Sequence, residues 1–320
     1  MVFYFHRFSF SSPSREVGRT VDNTSNKLQR FSFKELRVVT RDFDVKNRLG
    51  EGSFGQVYRG CLADGSLITV KQLRELSADS EKQYQTEAEV AAIVRHPNIL
   101  SLIGYCNMRK ERLLVYTFMV NCSLDFLLSR KAVRPLDWPI QMRIASGIAR
   151  GLALIHDQCH PSITHRDFSC SNALLTAEFE PILGDFGFAR IMRERDIVVG
   201  CGPVFAAEVG KYPPCCPRKV DVHLCGNLLL DLFSGRPYLD LDRRRNGWVS
   251  TCMNENALGR VVDPHLQGNY PAEEAERLVR LALSCAEDNP SVRPEMSQVV
   301  RMLELQSHRE DPGIRSSRSR

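Results

Sequence analysis

The chain has 320 residues, 43% hydrophobic and 25% charged, the composition of an ordinary globular protein long enough to bury a sizeable core as two lobes or domains. Its net charge of +5 is too mild for this length to indicate a nucleic-acid partner, and no apolar run approaches the length that a membrane-spanning helix needs. Val2 stands where N-myristoylation requires glycine, and the aromatic opening Phe3, Tyr4, Phe5 is broken by His6 and Arg7, which makes a poor signal peptide. The 11 cysteines, an odd number without CxxC spacing, point to reduced thiols in a cytoplasmic setting rather than to a disulfide framework. Cys215, Cys216, His223 and Cys225 make only a poor zinc set, because adjacent cysteines are awkward ligands.

Residues 1–30 are rich in Ser, Arg and Asn with no sustained period and read as a flexible tail; the sharper alternative is an aromatic-basic segment skimming a membrane. From Phe31 a short helix is expected, with Ser32 as N-cap and Glu35 three residues on. Leu49 to Val57 then reads LGEGSFGQV, and Gly50, Gly52 and Gly55 let the backbone approach phosphate groups closely. The same glycine pattern occurs in dinucleotide folds, where it sits between a strand and a helix. Here Val57-Tyr58 continues as strand, Leu62 to Ser66 turns, and Leu67 to Lys71 forms the next strand, so the loop is the tip of a hairpin lid.

Glu81 to Val94 has a helical pattern, with Tyr84, Ala88, Ala91 and Val94 near one face. Glu87 lies on this helix at the separation expected for pairing with Lys71, and Glu89 is its competitor. Leu113 to Tyr116 is a buried-type strand, and Thr117, Phe118 and Met119 form a hinge to the second lobe. Beyond the hinge the pattern turns helical: Ile144, Ile148, Leu152 and Ile155 define one apolar face.

The stretch from Ile163 to Arg190 carries the chemistry. His165-Arg166-Asp167 is followed, five residues after its Asp, by Asn172, and then by Asp185-Phe186-Gly187. Phosphoryl transfer from a nucleotide needs carboxylate and amide oxygens on Mg²⁺ and one carboxylate aimed at the attacking hydroxyl. Asn172 and Asp185 suit the metal, and Asp167 suits the nucleophile. Either tripeptide alone is weak; in this order, behind a glycine loop and a strand Lys, the set is specific. An irregular loop then runs to Ala206-Ala207-Glu208, followed by helices over Val222 to Phe233, Glu274 to Cys285 and Glu295 to Leu303, and by an Arg/Ser-rich tail.

On these residues, and on the runs FSFKEL, LADGSL, ERLLVY, LDWP, IARGLALIH, VVDPHLQGNY and RPEMSQVVRMLE, the span from Phe31 to Glu304 resembles the kinase domain of plant receptor-like kinases of the Pelle-like (interleukin-receptor-associated) group, most of all the somatic-embryogenesis-receptor type. The resemblance implies an α+β bilobal kinase fold: a β-rich small lobe over residues 44–118, a helical large lobe over 119–304, a juxtamembrane-like segment over 31–43, and a disordered basic tail over 305–320. It implies MgATP, with Mn²⁺ as a substitute metal, and protein Ser/Thr substrates with some Tyr. It also implies a cytoplasmic kinase without its own membrane span, or the detached intracellular half of a receptor, held near the plasma membrane by a membrane receptor or another kinase.

Carried over residue by residue, Gly50, Gly52 and Gly55 cover the phosphates, Lys71 contacts the α and β groups, and Glu87 holds Lys71. Val57 and Leu174 sandwich the adenine, Thr69 and Phe118 border it, and Tyr116 guards the back of the pocket. Asp167 is the catalytic carboxylate, Asn172 and Asp185 hold metal, Asp221 anchors the loop from beneath, and Glu208 pairs with Arg293.

Four departures weigh on activity. The family's catalytic-loop Lys, two residues after Asp167, is Ser169; its small adenine-facing Ala is Thr69; and the Pro of its A-P-E is Ala207. The loop from Phe188 to Glu208 contains no Ser, Thr or Tyr, so Arg166 has no loop phosphate to receive, and only Glu194 and Asp196 offer it charge. Any switching is then expected from a partner or from Cys201. Two readings follow: a slow protein kinase, and a nucleotide-binding pseudokinase that acts as a scaffold for an active kinase.

Overall fold

The computed structural model describes residues 28–52, 55–73, 77–108, 111–129, 136–192, 217–236 and 244–307, with the backbone alone at 244–246 and 305–307. Alternation along the strands builds the small lobe. Strands β1 (Gln29–Arg30), β2 (Arg48–Gly52), β3 (Gly55–Cys61), β4 (Leu67–Leu73), β5 (Leu102–Met108) and β6 (Glu111–Thr117) form one sheet in the order β1-β5-β6-β4-β3-β2. The register sets Val57 opposite Lys71, Lys71 opposite Leu114 and Thr69 opposite Tyr116. With a period of two, Ile68, Val70, Leu113 and Val115 share one face, and Leu73, Leu114 and Tyr116 the other. The β3–β4 turn closes on Gly65, whose φ of +87° favours glycine, and the Asp64 carboxylate accepts from the Ser66 N–H at 2.9 Å.

Helix α1 (Phe33–Thr40) covers the first face. Its capping box is complete: the Ser32 N–H donates to Glu35 Oε2 at 2.7 Å, and the Glu35 N–H donates to Ser32 Oγ at 3.2 Å. The segment read as juxtamembrane-like therefore lies on the sheet, with Phe31 and Leu36 buried among Ile68, Val70 and Val115. Strand β1 falls in the last two residues of the span read as a tail. A pair of polar residues gives no period of its own, and its structure comes from the sheet edge it joins.

Helix α2 (Ala78–Ile93) covers the other face and starts earlier than its apolar pattern suggests, at the Ser77 N-cap. Its buried residues are Ser80, Gln83, Tyr84, Glu87 and Val90, while Ala88 and Ala91 are half-buried. The expected face is thus rotated, because three of the five buried residues, Ser80, Gln83 and Glu87, are polar, and an apolar pattern does not register them. Glu89 is exposed and Glu87 is buried, which decides between the two.

The large lobe is built on helices α3 (Leu124–Ser129), α4 (Trp138–Ala153), α5 (Pro217–Ser234), α6 (Arg244–Asn254), α7 (Leu258–Val261), α8 (Ala272–Cys285) and α9 (Met296–Ser307). Asp137 caps α4 by accepting from the Ile140 N–H at 2.9 Å, and Ile144, Ile148, Leu152 and Ile155 are all fully buried in one core. Helix α5 is buried along most of its length, which fits the apolar character of its stretch from Val222 to Phe233 and leaves Asp221, His223 and Asp231 buried among those apolar residues. Short strands β7 (Ile163–Thr164), β8 (Ala173–Leu175), β9 (Pro181–Leu183) and β10 (Arg190–Ile191) carry the intervening loops to the edge of this core, under the small-lobe sheet.

Candidate active site

Where the sheet meets the large lobe, a cleft of about 590 Å³, including its open mouth, is lined by Val57, Thr69, Lys71, Glu87, Tyr116, Phe118, Leu174, Asn172 and Asp185. All nine are expected from the sequence. Thr117 and Met119, read from the sequence as hinge residues, line it as well, and so do Leu49, Leu100, Cys122 and Gly184, which the sequence reading gave no role in the site. Leu49 and Met119 adjoin motif residues and were within reach of the pattern. Cys122 had no signal: its backbone sits at φ +62°, a left-handed conformation rare for a residue with a side chain. Gly50 and Gly52 lie on β2 and Gly55 opens β3, with Gly52 paired across to Gly55. The tip of that hairpin, residues 53–54, lies outside the described residues.

Lys71 ties the site together. Its Nζ donates to Glu87 Oε2 at 2.8 Å and to Asp185 Oδ1 at 2.7 Å, and all three side chains are less than a tenth exposed. Burial alone would depress the Lys71 ammonium, but the Asp185 and Glu87 carboxylates more than offset it and hold the pKa above its ordinary value. Burial likewise pushes the Asp185 carboxyl up, and Lys71 outweighs it, so Asp185 stays below the usual carboxylate range. The Tyr116 hydroxyl donates to Glu87 Oε1 at 2.6 Å, which gives the second oxygen of that buried carboxylate a partner.

Beneath the cleft, Asp221 on α5 organises the loop. Its Oδ2 accepts from the His165 N–H and its Oδ1 from the Arg166 N–H, each at 2.7 Å, and His156 Nε2 lies 2.8 Å from Oδ2. These bonds hold Arg166 at φ +70°, a conformation that costs energy outside glycine. The next residue, Asp167, is half-buried and stands outside the set of residues that line the cleft. Burial first, and the Asp185 carboxylate with it, raise the Asp167 carboxyl above its ordinary value. Phe186 packs on the His165 ring at 4.7 Å between centroids, and Asp185 itself has φ +61°, so the D-F-G turn is seated on the loop.

The donor set fits a hard divalent cation. Asn172 Nδ2 donates to the Asp167 carbonyl at 2.7 Å, which fixes the amide, while Asn172 Oδ1 is buried with no hydrogen-bond partner. An orphaned amide oxygen on a residue that lines the same cleft as the Asp185 carboxylate is the oxygen-rich environment that Mg²⁺ prefers. Ser169 lies in the loop through its backbone, its carbonyl accepting from Asn172 and Ala173, and its side chain carries no charge. Arg293 donates to the carbonyls of Glu287 and Lys219, each at 2.6 Å. Its expected partner Glu208, together with Glu194, Asp196, Cys201 and Ala207, lies outside the described residues, as do Cys215 and Cys216.

A family model described as "Protein kinase domain" matches residues 43–303. Among curated proteins, the chain is 38% identical over 297 residues to the LRR receptor kinase SERK2 of Oryza sativa subsp. japonica, a span that covers 87% of this chain and 48% of that protein. The chain therefore spans about half the length of this relative. No helix among the described residues is long and apolar enough to cross a membrane.

Proposed function

The chain belongs to the protein kinase domain family, and on that premise we propose that it transfers the γ-phosphoryl group of MgATP to serine and threonine hydroxyls of protein substrates, at a reduced rate. The observation that carries this reading is the buried Lys71–Glu87–Asp185 network in the cleft that Asn172, with its orphaned Oδ1, also lines. Lys71, held by Glu87, engages the α and β phosphates, and the glycines at 50, 52 and 55 cover them. Val57 and Leu174 enclose the adenine, with Thr69, Tyr116 and Phe118 at its border. Asn172 and Asp185 hold Mg²⁺, or Mn²⁺ in its place, which when bound neutralises charge on the phosphates. Asp167 orients the substrate hydroxyl and takes its proton as the new oxygen–phosphorus bond forms and ADP departs with the bridging oxygen.

Ser169 sets the rate. A cation at that position acts on the moving phosphoryl group, and loss of one such electrostatic donor costs on the order of 10²–10³ in rate. A pseudokinase that signals by pairing with an active kinase is the second reading, favoured by Ser169 and by the hydroxyl-free loop. The match to a receptor kinase supports work beside a membrane receptor or a second kinase, at the cytoplasmic face of the plasma membrane. Ser169→Lys separates the two readings. In a slow enzyme it raises kcat at least about tenfold with little change in the KM for ATP, because the contact acts chiefly in the transition state. No gain in transfer would leave the pseudokinase reading.

A further inference from the structure

We propose that residues 28–31 act as a clip on the edge of the small-lobe sheet, positioning α2 and through it Glu87. The segment precedes the residues that the family model matches, which begin at 43. Strand β1 runs parallel to β5, with Gln29 opposite Gly104 and Arg30 opposite Tyr105, and the Phe31 N–H donates to the Tyr105 carbonyl at 2.9 Å. Without it β5 would be the edge strand, with its outer backbone groups unpaired.

Strand alternation sends Leu28 and Phe31 to opposite faces of the sheet. Phe31 is 4% exposed and packs with Leu36, Ile68 and Val115 on the α1 side. Leu28 packs on the α2 side, against the cluster of Leu73, Tyr84, Leu114 and Tyr116. Two members of that cluster control Glu87. Tyr84 lies one helical turn before it on α2, and Tyr116 donates a hydrogen bond to it. Arg112 stands over the Tyr84 ring at 5.9 Å and pairs with Glu81 at 2.8 Å. The sheet is shaped for the clip as well: a Cβ on Gly104 would lie 2.2 Å from the Gln29 carbonyl oxygen and 2.7 Å from the Phe31 ring. The sequence therefore leaves a gap in β5 where the clip crosses it. Leu28 and Phe31 are positioning residues, acting on the reaction only through α2.

The kinetic part of this inference rests on the phosphotransferase reading, and the test separates the two. Full-length wild type, Leu28→Ala, Leu28→Met and Gly104→Ala are compared by amide hydrogen exchange and by phosphoryl transfer, with Val38→Ala on the exposed side of α1 as control. The expected result is a rise of roughly five- to tenfold in exchange across residues 79–93 in Leu28→Ala and Gly104→Ala, with α4 unchanged. The same variants should lose kcat by about threefold or more with a smaller change in the KM for ATP, because a displaced Glu87 weakens alignment before binding. Leu28→Met restores both readouts, and Val38→Ala moves neither. Unchanged exchange in α2 overturns the clip, as does an equal rise in α4, which would mark a general loss of stability. A wild type without transfer activity overturns the phosphotransferase reading alone, since the exchange data still decide the clip.

Discussion

Between Asp167 and Asn172 the chain carries Phe168, Ser169, Cys170 and Ser171, so this stretch itself supplies no cation. Burial raises the Asp167 carboxyl, and Asp185 adds to the shift. The base works only when deprotonated, so transfer should fall as the pH drops through this raised pKa. A lysine at 169 favours the charged carboxylate and lowers its pKa. The acid limb of kcat/KM should therefore lie at lower pH in Ser169→Lys than in the wild type, and limbs that coincide would speak against Asp167 as the base. Tyr116 offers a second test at this scale. Tyr116→Phe keeps the ring in its cluster and removes the hydroxyl on Glu87 Oε1, a hydrogen bond to a buried carboxylate worth about 1.5–3 kcal/mol. Denaturant unfolding should register that loss together with a lower kcat; a variant equal to the wild type in both would deny Tyr116 any hold on Glu87.

The elements divide by how far their period was set by their own residues. Helix α4 was legible because Ile144, Ile148 and Leu152 at helical spacing face a single core, with Ile155 just past its end joining them, and α1 because Ser32 and Glu35 form a capping box that needs no distant partner. Ser32→Ala removes that cap and should cost about 1 kcal/mol, read as a lower unfolding midpoint at unchanged m-value. No shift in midpoint would mean that the packing of Phe31 and Leu36 holds α1 without its cap. Helix α2 was legible only in part, since Gln83 and Glu87 are buried by partners on other elements: the cleft network takes Glu87, and the turn at Phe186–Phe188 packs alongside. Strand β1 left no pattern, being two residues long and ordered by pairing with a strand far along the chain. In the site, the charged and amide residues were readable from motif spacing. Cys122 and Leu100 were not, because the folded path of the chain alone brings them to the cleft.

Across the whole molecule, the two lobes meet chemically at Asp185, which pairs with small-lobe Lys71 from a turn seated on the large-lobe catalytic loop. A nucleotide filling the cleft joins the same two lobes. At a hundredfold excess over its Kd it should stabilise the fold by about 2.7 kcal/mol. That shift should require Mg²⁺, because Asn172 Oδ1 and Asp185 present oxygens that only a cation would bring to the phosphates. The most direct measurement is transfer of label from γ-labelled ATP to protein hydroxyls by purified wild type and Asp167→Asn, at matched nucleotide occupancy. The account predicts slow, Mg²⁺-dependent labelling of serine and threonine that Asp167→Asn abolishes while the nucleotide-induced stabilisation is retained. Labelling that survives Asp167→Asn unchanged, or a wild type that binds MgATP and labels nothing, would contradict it.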